Sequence, residues 1–302
     1  MPLDPTLQKL LDTMPAIDFA TVPLEELRRA NIANALTQPR VVDLPRIEER
    51  RAEGVGVRIY WPRAGKAPLP VVVYYHGGGF FMGNLDTHDN LARTIAHRTD
   101  AIVVSVDYRL APEHPYPAAA QDAFTVLRWT AAHAGELGAD PDRIAVAGDS
   151  AGGNLAALAA LHARDGGGPS LRFQLMWYPC THIDPTLPSE TQNADAPVLP
   201  RRAVELSAGW YLGGRDPKTC GAAPAYAPSH TGLPPAYIAT VQGDAIRDEG
   251  ILYAQLLRAA GVPVEHHNHD GLVHGFCTLV PHVPAAAKAL DDSLVALKTS
   301  LT

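Results

Sequence analysis

The segment Gly148-Asp149-Ser150-Ala151-Gly152 fits the pattern G-x-S-x-G, in which a serine stands on a tight strand-to-helix turn with its hydroxyl exposed. The chemistry such a turn serves is nucleophilic attack on a carbonyl carbon. A short apolar run, Ile144 to Ala147, precedes it and a small-residue helical stretch, Leu155 to Ala163, follows. Gly148 and Gly152 remove Cβ atoms that would hold strand and helix apart. The helix N-terminus favours negative charge developing beside Ser150. The same pentapeptide also suits a glycine-rich turn whose serine caps a helix, so catalysis needs further residues.

A serine hydroxyl is a weak nucleophile at neutral pH and requires a base and a carboxylate to orient it. In this strand-turn-helix context the expected chain order is serine, acid, histidine. Among thirteen histidines, His274 in Leu272-Val273-His274-Gly275-Phe276 follows the last predicted strand and is the expected base, with His269 as the alternative. Asp244, directly after the apolar run Ala236 to Val241, is the expected acid. Asp248 and Glu249 fall in the first turn of the next helix and read as helix-start charges, with Asp248 as the alternative acid.

His76-Gly77-Gly78-Gly79-Phe80 closes the run Val71 to Tyr75, and three successive glycines free backbone N–H groups to converge on one point. That is the requirement of an oxyanion hole. Gly77 and Gly78 with Ala151 are the expected donors, and Gly79 takes over if the loop is rotated by one residue. No G-K-[ST] or G-x-G-x-x-G pattern turns these glycines into a phosphate cradle. Asp107 to Pro115 is a dense polar loop read as scaffold that braces its neighbours. Asp86, His88 and Asp89 invite a metal reading, but Asp86 with Thr87 equally reads as a helix start; no metal and no cofactor is expected.

The elements that must position these residues alternate along the chain. Val71 to Tyr75, Ile102 to Val106 and Ile144 to Ala147 are too short for helices and read as buried strands, with helical stretches Thr87 to Arg98 and Ala118 to His133 between them. Val55, Val57 and Ile59 alternate with less apolar neighbours, and Phe173 to Tyr178, Ala236 to Val241 and Val264 to His267 supply later strands. Gly250 to Ala260 and Ala285 to Leu297 add two helices. The pattern predicts an α/β fold with a mostly parallel sheet of about eight strands flanked by helices. Residues 1–45 carry two short helical patterns, Thr6 to Leu11 and Leu24 to Leu36, separated by Pro15 and Pro23. Residues 181–233 interrupt the alternation with Pro, Gly and Ala around one amphipathic stretch, Ala203 to Tyr211. The expected division is an N-terminal cap part (1–45), core (46–180), cap insertion (181–233) and core (234–302).

Composition bounds the class. With 46% hydrophobic and 19% charged residues the chain has ample material for a core. A net charge of −7 without a basic block excludes a nucleic-acid partner. Three cysteines without C-x-x-C spacing fit neither a disulfide framework nor a zinc site. The first residues lack a signal-peptide pattern, and no apolar run reaches the roughly 18 residues of a membrane span. A cytoplasmic location is expected, with the oligomeric state open.

Taken together, His76-Gly77-Gly78-Gly79, Asp107-Tyr108-Arg109-Leu110-Ala111-Pro112-Glu113, Gly148-Asp149-Ser150-Ala151-Gly152-Gly153, and Asp244 through Gly250 with His274-Gly275-Phe276 make the sequence resemble the bacterial hormone-sensitive lipase family (family IV) of α/β-hydrolases. The resemblance covers about residues 45–300. It implies an α/β-hydrolase fold with a helical cap, and carboxylester hydrolysis by Ser150, Asp244 and His274. It also implies an oxyanion hole from the first glycines of the 76–79 loop with Ala151. The 30 positions between Asp244 and His274 suit the family pattern. Ala245-Ile246 departs from it, because a Pro-Leu-like pair usually follows the acid. The expected substrate is a small-molecule ester with a short to medium acyl group. Rival readings are an amide, carbamate or lactone hydrolase with the same three residues, and a noncatalytic small-molecule receptor, which a retained His274 opposes.

Overall fold

The computed structural model describes residues 3–14, 21–65 and 68–302. Pro15, expected to separate the first two helices, lies outside them. Strands run over β1 (Arg46–Ala52), β2 (Val55–Trp61), β3 (Leu69–Tyr75), β4 (Ile102–Asp107), β5 (Ala139–Asp149), β6 (Phe173–Trp177), β7 (Ala236–Val241) and β8 (Val264–His269). Helices are α1 (Pro5–Thr13), α2 (Leu24–Thr37), α3 (Asp89–Thr99), α4 (Ala118–Ala132), α5 (Ala134–Leu137), α6 (Ala151–Asp165), α7 (Pro188–Gln192), α8 (Arg201–Leu212), α9 (Pro217–Cys220), α10 (Arg247–Ala259) and α11 (Pro284–Ser300).

All eight strands join one sheet in the order β1-β2-β4-β3-β5-β6-β7-β8. β2 runs antiparallel to both β1 and β4, and every later pairing is parallel. Composition explains the order. The β-branched and aromatic runs of β3, β4, β6 and β7 are buried almost throughout, as strands covered on both faces must be. The edges are β1, with its Arg and Glu residues, and β8, with its three histidines; charged and polar side chains there discourage pairing with another chain.

Side chains of β3 divide with a period of two. Val71, Val73 and Tyr75 join the core beneath α4, α6 and α10, while Val72 and Tyr74 join the core beneath α3 and α11. Leu7 of α1 is fully buried in the second core, and the Asp4 carboxylate caps that helix by accepting from Thr6 and Leu7 N–H.

Two of the element boundaries that differ from the sequence pattern flank the glycine loop and the Ser150 turn. The helix expected from Thr87 starts at Asp89, because the Asn84 side chain accepts from the N–H of Asp86 and Thr87 and closes a separate turn. α6 starts at Ala151 instead of Leu155, since Ala151-Gly152-Gly153-Asn154 carries little helical periodicity yet is fully enclosed. From β3 the chain passes to β4 on one side and then to β5 on the other. The C-terminal ends of β3 and β5 therefore flank a topological switch point, the place where open α/β sheets bind ligands.

Candidate active site

Ser150 leaves the end of β5 with φ 55° and ψ −118°, a conformation that costs a non-glycine residue about 1–3 kcal/mol. The surroundings enforce it. Ser150 N–H donates to Trp177 C=O at 2.9 Å, and its own C=O accepts from Asn154 and Cys180 N–H. A Cβ on Gly148 would stand 2.1 Å from Gly152 C=O, and one on Gly152 only 1.9 Å from Tyr75 C=O. Both glycines are required so that strand and helix can cross at this spacing.

His274 and Asp244 complete a hydrogen-bonded run. His274 Nε2 lies 2.8 Å from Ser150 Oγ, and His274 Nδ1 lies 2.7 Å from Asp244 Oδ2. A carboxylate only accepts, so Nδ1 carries the proton and Nε2 is left to accept from the serine hydroxyl. Asp244 is fully buried and its Oδ1 accepts from Ile246 N–H at 3.0 Å. The His274 ring rests on Tyr178, with centroids 4.6 Å apart. His269, the alternative base, instead packs its ring against Phe276 at 5.6 Å. Asp248, the alternative acid, accepts from Ser189 N–H at 2.9 Å. Asp248 and Glu249 do lie in the first turn of α10, but Glu249 is buried and accepts from the N–H groups of His182 and Ile183.

The glycine loop corrects one expectation. Gly77 N–H is occupied by Asp149 Oδ1 at 2.9 Å, so it is not an oxyanion donor. A Cβ at Gly77 would also meet Asp149 Oδ2 at 2.3 Å, which explains the glycine by packing instead. Gly78 and Gly79, with φ of 120° and 59°, line the cavity above Ser150 together with Ala151. Among the described residues none accepts a hydrogen bond from the N–H of these three.

Asp149 is the hub beneath this loop. Its Oδ1 also accepts from Tyr74 OH at 2.6 Å, and Oδ2 faces His88 Nε2 at 3.6 Å. Burial alone would raise its pKa, but the nearby His88 and the hydrogen bond from Tyr74 prevail and hold the carboxyl below its usual range. Beside it His76 is fully buried, its ring stacked on Tyr108 at 4.3 Å. Burial pushes its pKa down to about 3, keeping the ring neutral. A neutral His76 donates from Nδ1 to Gly77 C=O at 2.8 Å.

The cavity above Ser150 has a volume of about 200 Å³ and is walled mainly by apolar side chains, among them Phe81, Ile183, Val204 and Ile246. Asn31 of α2 and Ala203, Val204, Ser207 and Ala208 of α8 also line it. A wider groove of about 830 Å³ opens on the other side of His274, toward α2 and α3.

The loop read as scaffold does brace its surroundings. Arg109 holds Asp122, and Tyr108 OH donates to His76 C=O at 2.7 Å. Glu113 pairs with Arg28 of α2 instead of with backbone groups. Asp86 and Asp89 are bound to Arg58, and no cluster suited to a metal ion occurs among the described residues. Sequence reasoning missed Arg28, Tyr74, Asn193 and Ser207, and weighed His88 only for a metal. All are joined to the site by long-range contacts, for which local spacing holds no signal.

A profile of the α/β-hydrolase fold matches residues 72–278. The chain belongs to the α/β-hydrolase family. Carboxylesterase NlhH of Mycobacterium tuberculosis is 50% identical, over 99% of this chain and 96% of that protein. Esterase LipI of the same organism is also 50% identical, over 99% of this chain and 95% of that one. A hyperthermophilic esterase from Pyrobaculum calidifontis superposes with a TM-score of 0.91 at 35% identity, with 100% of both chains covered. Within the α/β-hydrolases, the motifs and these relatives put the chain in the hormone-sensitive lipase-like branch. No helix among the described residues is long and apolar enough to cross a membrane.

Proposed function

We propose that this α/β-hydrolase is a carboxylesterase that cleaves esters of short to medium acyl groups through an acyl-enzyme on Ser150. The observation that carries the reading is the unbroken run from Ser150 Oγ through His274 to the buried Asp244, at 2.8 and 2.7 Å. His274 Nε2 takes the Ser150 proton as Oγ attacks the ester carbonyl. The oxyanion accepts from the N–H groups of Gly78, Gly79 and Ala151. His274 then gives its proton to the departing alcohol, leaving the acyl group on Ser150. Water, deprotonated by His274, attacks that acyl carbon, and the acid leaves as Ser150 recovers its proton. Every proton and electron pair balances without a cofactor.

The apolar 200 Å³ cavity supports a short to medium acyl chain. Esters are favoured over amides, carbamates and lactones by the relatives, which are named esterases. Residues 1–45 and 181–233 act as two parts of one cap: α2 and α8 both line the cavity. Three cysteines without disulfides suit the cytoplasm.

Ser150→Ala is expected to lower turnover of a short-chain p-nitrophenyl ester by about 10⁴-fold or more, with an unchanged melting temperature. Retained turnover refutes the assignment. An organophosphate should label the parent protein stoichiometrically and the variant not at all; a receptor of this fold would leave the parent unlabelled.

A further inference from the structure

Each carbonyl of the oxyanion loop from Gly77 to Phe81 has a donor, and the donors come from two sources. Gly77 C=O is held by His76 Nδ1 at 2.8 Å, Gly78 C=O by Phe81 and Met82 N–H at 3.1 and 2.9 Å, and Phe80 C=O by Ala111 N–H at 2.9 Å. Those donors belong to the core. The other two belong to the segments assigned above to the cap. Ser207 Oγ of α8 donates to Gly79 C=O at 2.7 Å, and Arg28 Nε of α2 donates to Phe81 C=O at 2.8 Å.

The position of Ser207 matters because of what Gly79 is. A glycine has soft φ and ψ, and Gly79 joins two rigid peptide planes. One plane carries the Gly79 N–H, taken above as a donor to the oxyanion, and is anchored through Gly78 C=O. The other carries Gly79 C=O, and Ser207 is its recorded side-chain partner. Without that anchor the backbone at Gly79 is held from the Gly78 side alone, and the direction of its N–H is less tightly fixed. Preorganised direction is what makes an oxyanion donor effective.

We propose that Ser207 is a positioning residue of the esterase reaction: its hydrogen bond to Gly79 C=O makes the working shape of the oxyanion hole depend on a docked α8. The proposal rests on the reading of Ser150 and of the Gly78, Gly79 and Ala151 donors given above. Ser207 touches no reacting atom in this scheme. It acts through Gly79, so closure of the cap and completion of the oxyanion hole become one event.

The test is Ser207→Ala, which suits a helix and leaves the apolar cavity wall otherwise unchanged. With a short-chain aryl ester, kcat should fall about tenfold with KM within about twofold, the pattern of an interaction expressed in the transition state. Affinity for a trifluoromethyl ketone, which forms a tetrahedral adduct with the nucleophile, should fall by about the same factor. Ser207→Thr, which keeps the hydroxyl, should recover most of kcat. Unchanged kcat in Ser207→Ala overturns the proposal, as does a fall in kcat without weaker binding of the ketone. A rise in KM alone also overturns it and makes Ser207 a wall of the pocket. Ser150→Ala run alongside separates the two levels: its retained activity would sink the reaction scheme itself, whereas a dead Ser150→Ala beside a fully active Ser207→Ala removes only the role of Ser207.

Discussion

The elbow at Gly148–Gly152 and the glycine loop at Gly77–Gly79 both hold backbone in conformations few residues adopt, yet opposite means hold them there. The elbow is wedged by main chain against main chain: Ser150 N–H meets Trp177 C=O, and Gly152 abuts Tyr75 C=O so closely that no Cβ fits. The glycine loop, apart from main-chain bonds to Gly78 C=O, is tied by side chains: Asp149 of β5 at Gly77 and Ser207 of α8 at Gly79, with Arg28 of α2 on the adjoining Phe81. The nucleophile is therefore as stable as the sheet that carries it. The glycine loop is only as well ordered as the segments folded over it.

The largest expected effect breaks the elbow. Gly152→Ala forces a carbon into Tyr75 C=O, where only backbone can yield. Overpacking of this kind costs typically about 1–3 kcal/mol and more where no side chain can give way. A fall of many degrees in melting temperature, with activity lost, should appear by circular dichroism. Gly78→Ala, whose Cβ would meet Met82 C=O at 2.1 Å, distorts a loop outside the main sheet. Its signature should be a loss of kcat of about 10²–10³ with a smaller fall in melting temperature. Equal thermal losses in the two variants would erase the distinction between wedged and tied.

A smaller effect tests the link between the two regions. Asp149→Ala leaves Gly77 N–H and Tyr74 OH buried without their acceptor, and each orphaned donor costs about 1–3 kcal/mol. Turnover should fall about 10- to 100-fold along with stability, while Asp149→Asn, which keeps one acceptor oxygen, should lose distinctly less of both. An Asn variant as impaired as Ala would mean that charge beside His88, and not the hydrogen bond to Gly77, is what matters.

The smallest effect concerns the cap's attachment on the side of the acid. Glu190 of α7 and Glu249 of α10 are both buried, and both oxygens of Glu190 lack a partner. Burial, then the Glu249 charge, pushes Glu190 up to about 8, with Asp184 and Glu205 adding and Arg201 opposing. Burial pushes Glu249 up to about 7, with Asp244 adding and the His182, Ile183 and Thr181 hydrogen bonds opposing. Both start from 4.5. The folded chain thus keeps protons that the unfolded chain has released, so stability is greatest below about 4.5 in respect of these groups and declines as pH rises to about 8. Melting temperatures of Glu190→Gln across that range should decline less steeply than those of the parent and exceed them at the alkaline end. A parallel pair of curves would show that Glu190 does not hold its proton.

Much of the site was readable in order along the chain. Ser150, Asp244 and His274 stand at strand ends marked by apolar runs, and each lies where that pattern puts it. In the glycine loop the sequence left open which N–H a neighbour takes up. Three consecutive glycines carry no internal sign of which N–H is free, and the answer lies in Asp149, which is 72 positions away and takes the first of them. The small helices α7 and α9 within residues 181–233 were also missed. They are single turns whose short length leaves no period to detect, and α7 is kept in place by Ser189 and Asn193 bonding to the loop of Asp244.

By itself the sequence determined the alternating α/β architecture, the strand that ends in Ser150 and the three residues that form the hydrogen-bonded run. Those rest on local periodicity and on turn chemistry that only glycine permits. Tertiary structure decided which amide of the glycine loop is taken up, what Asp149 does with its two oxygens, and that Arg28 and Ser207 reach that loop. Such contacts join segments distant in sequence, and a hydrogen bond between them leaves no periodic trace because its geometry exists only after the elements have packed.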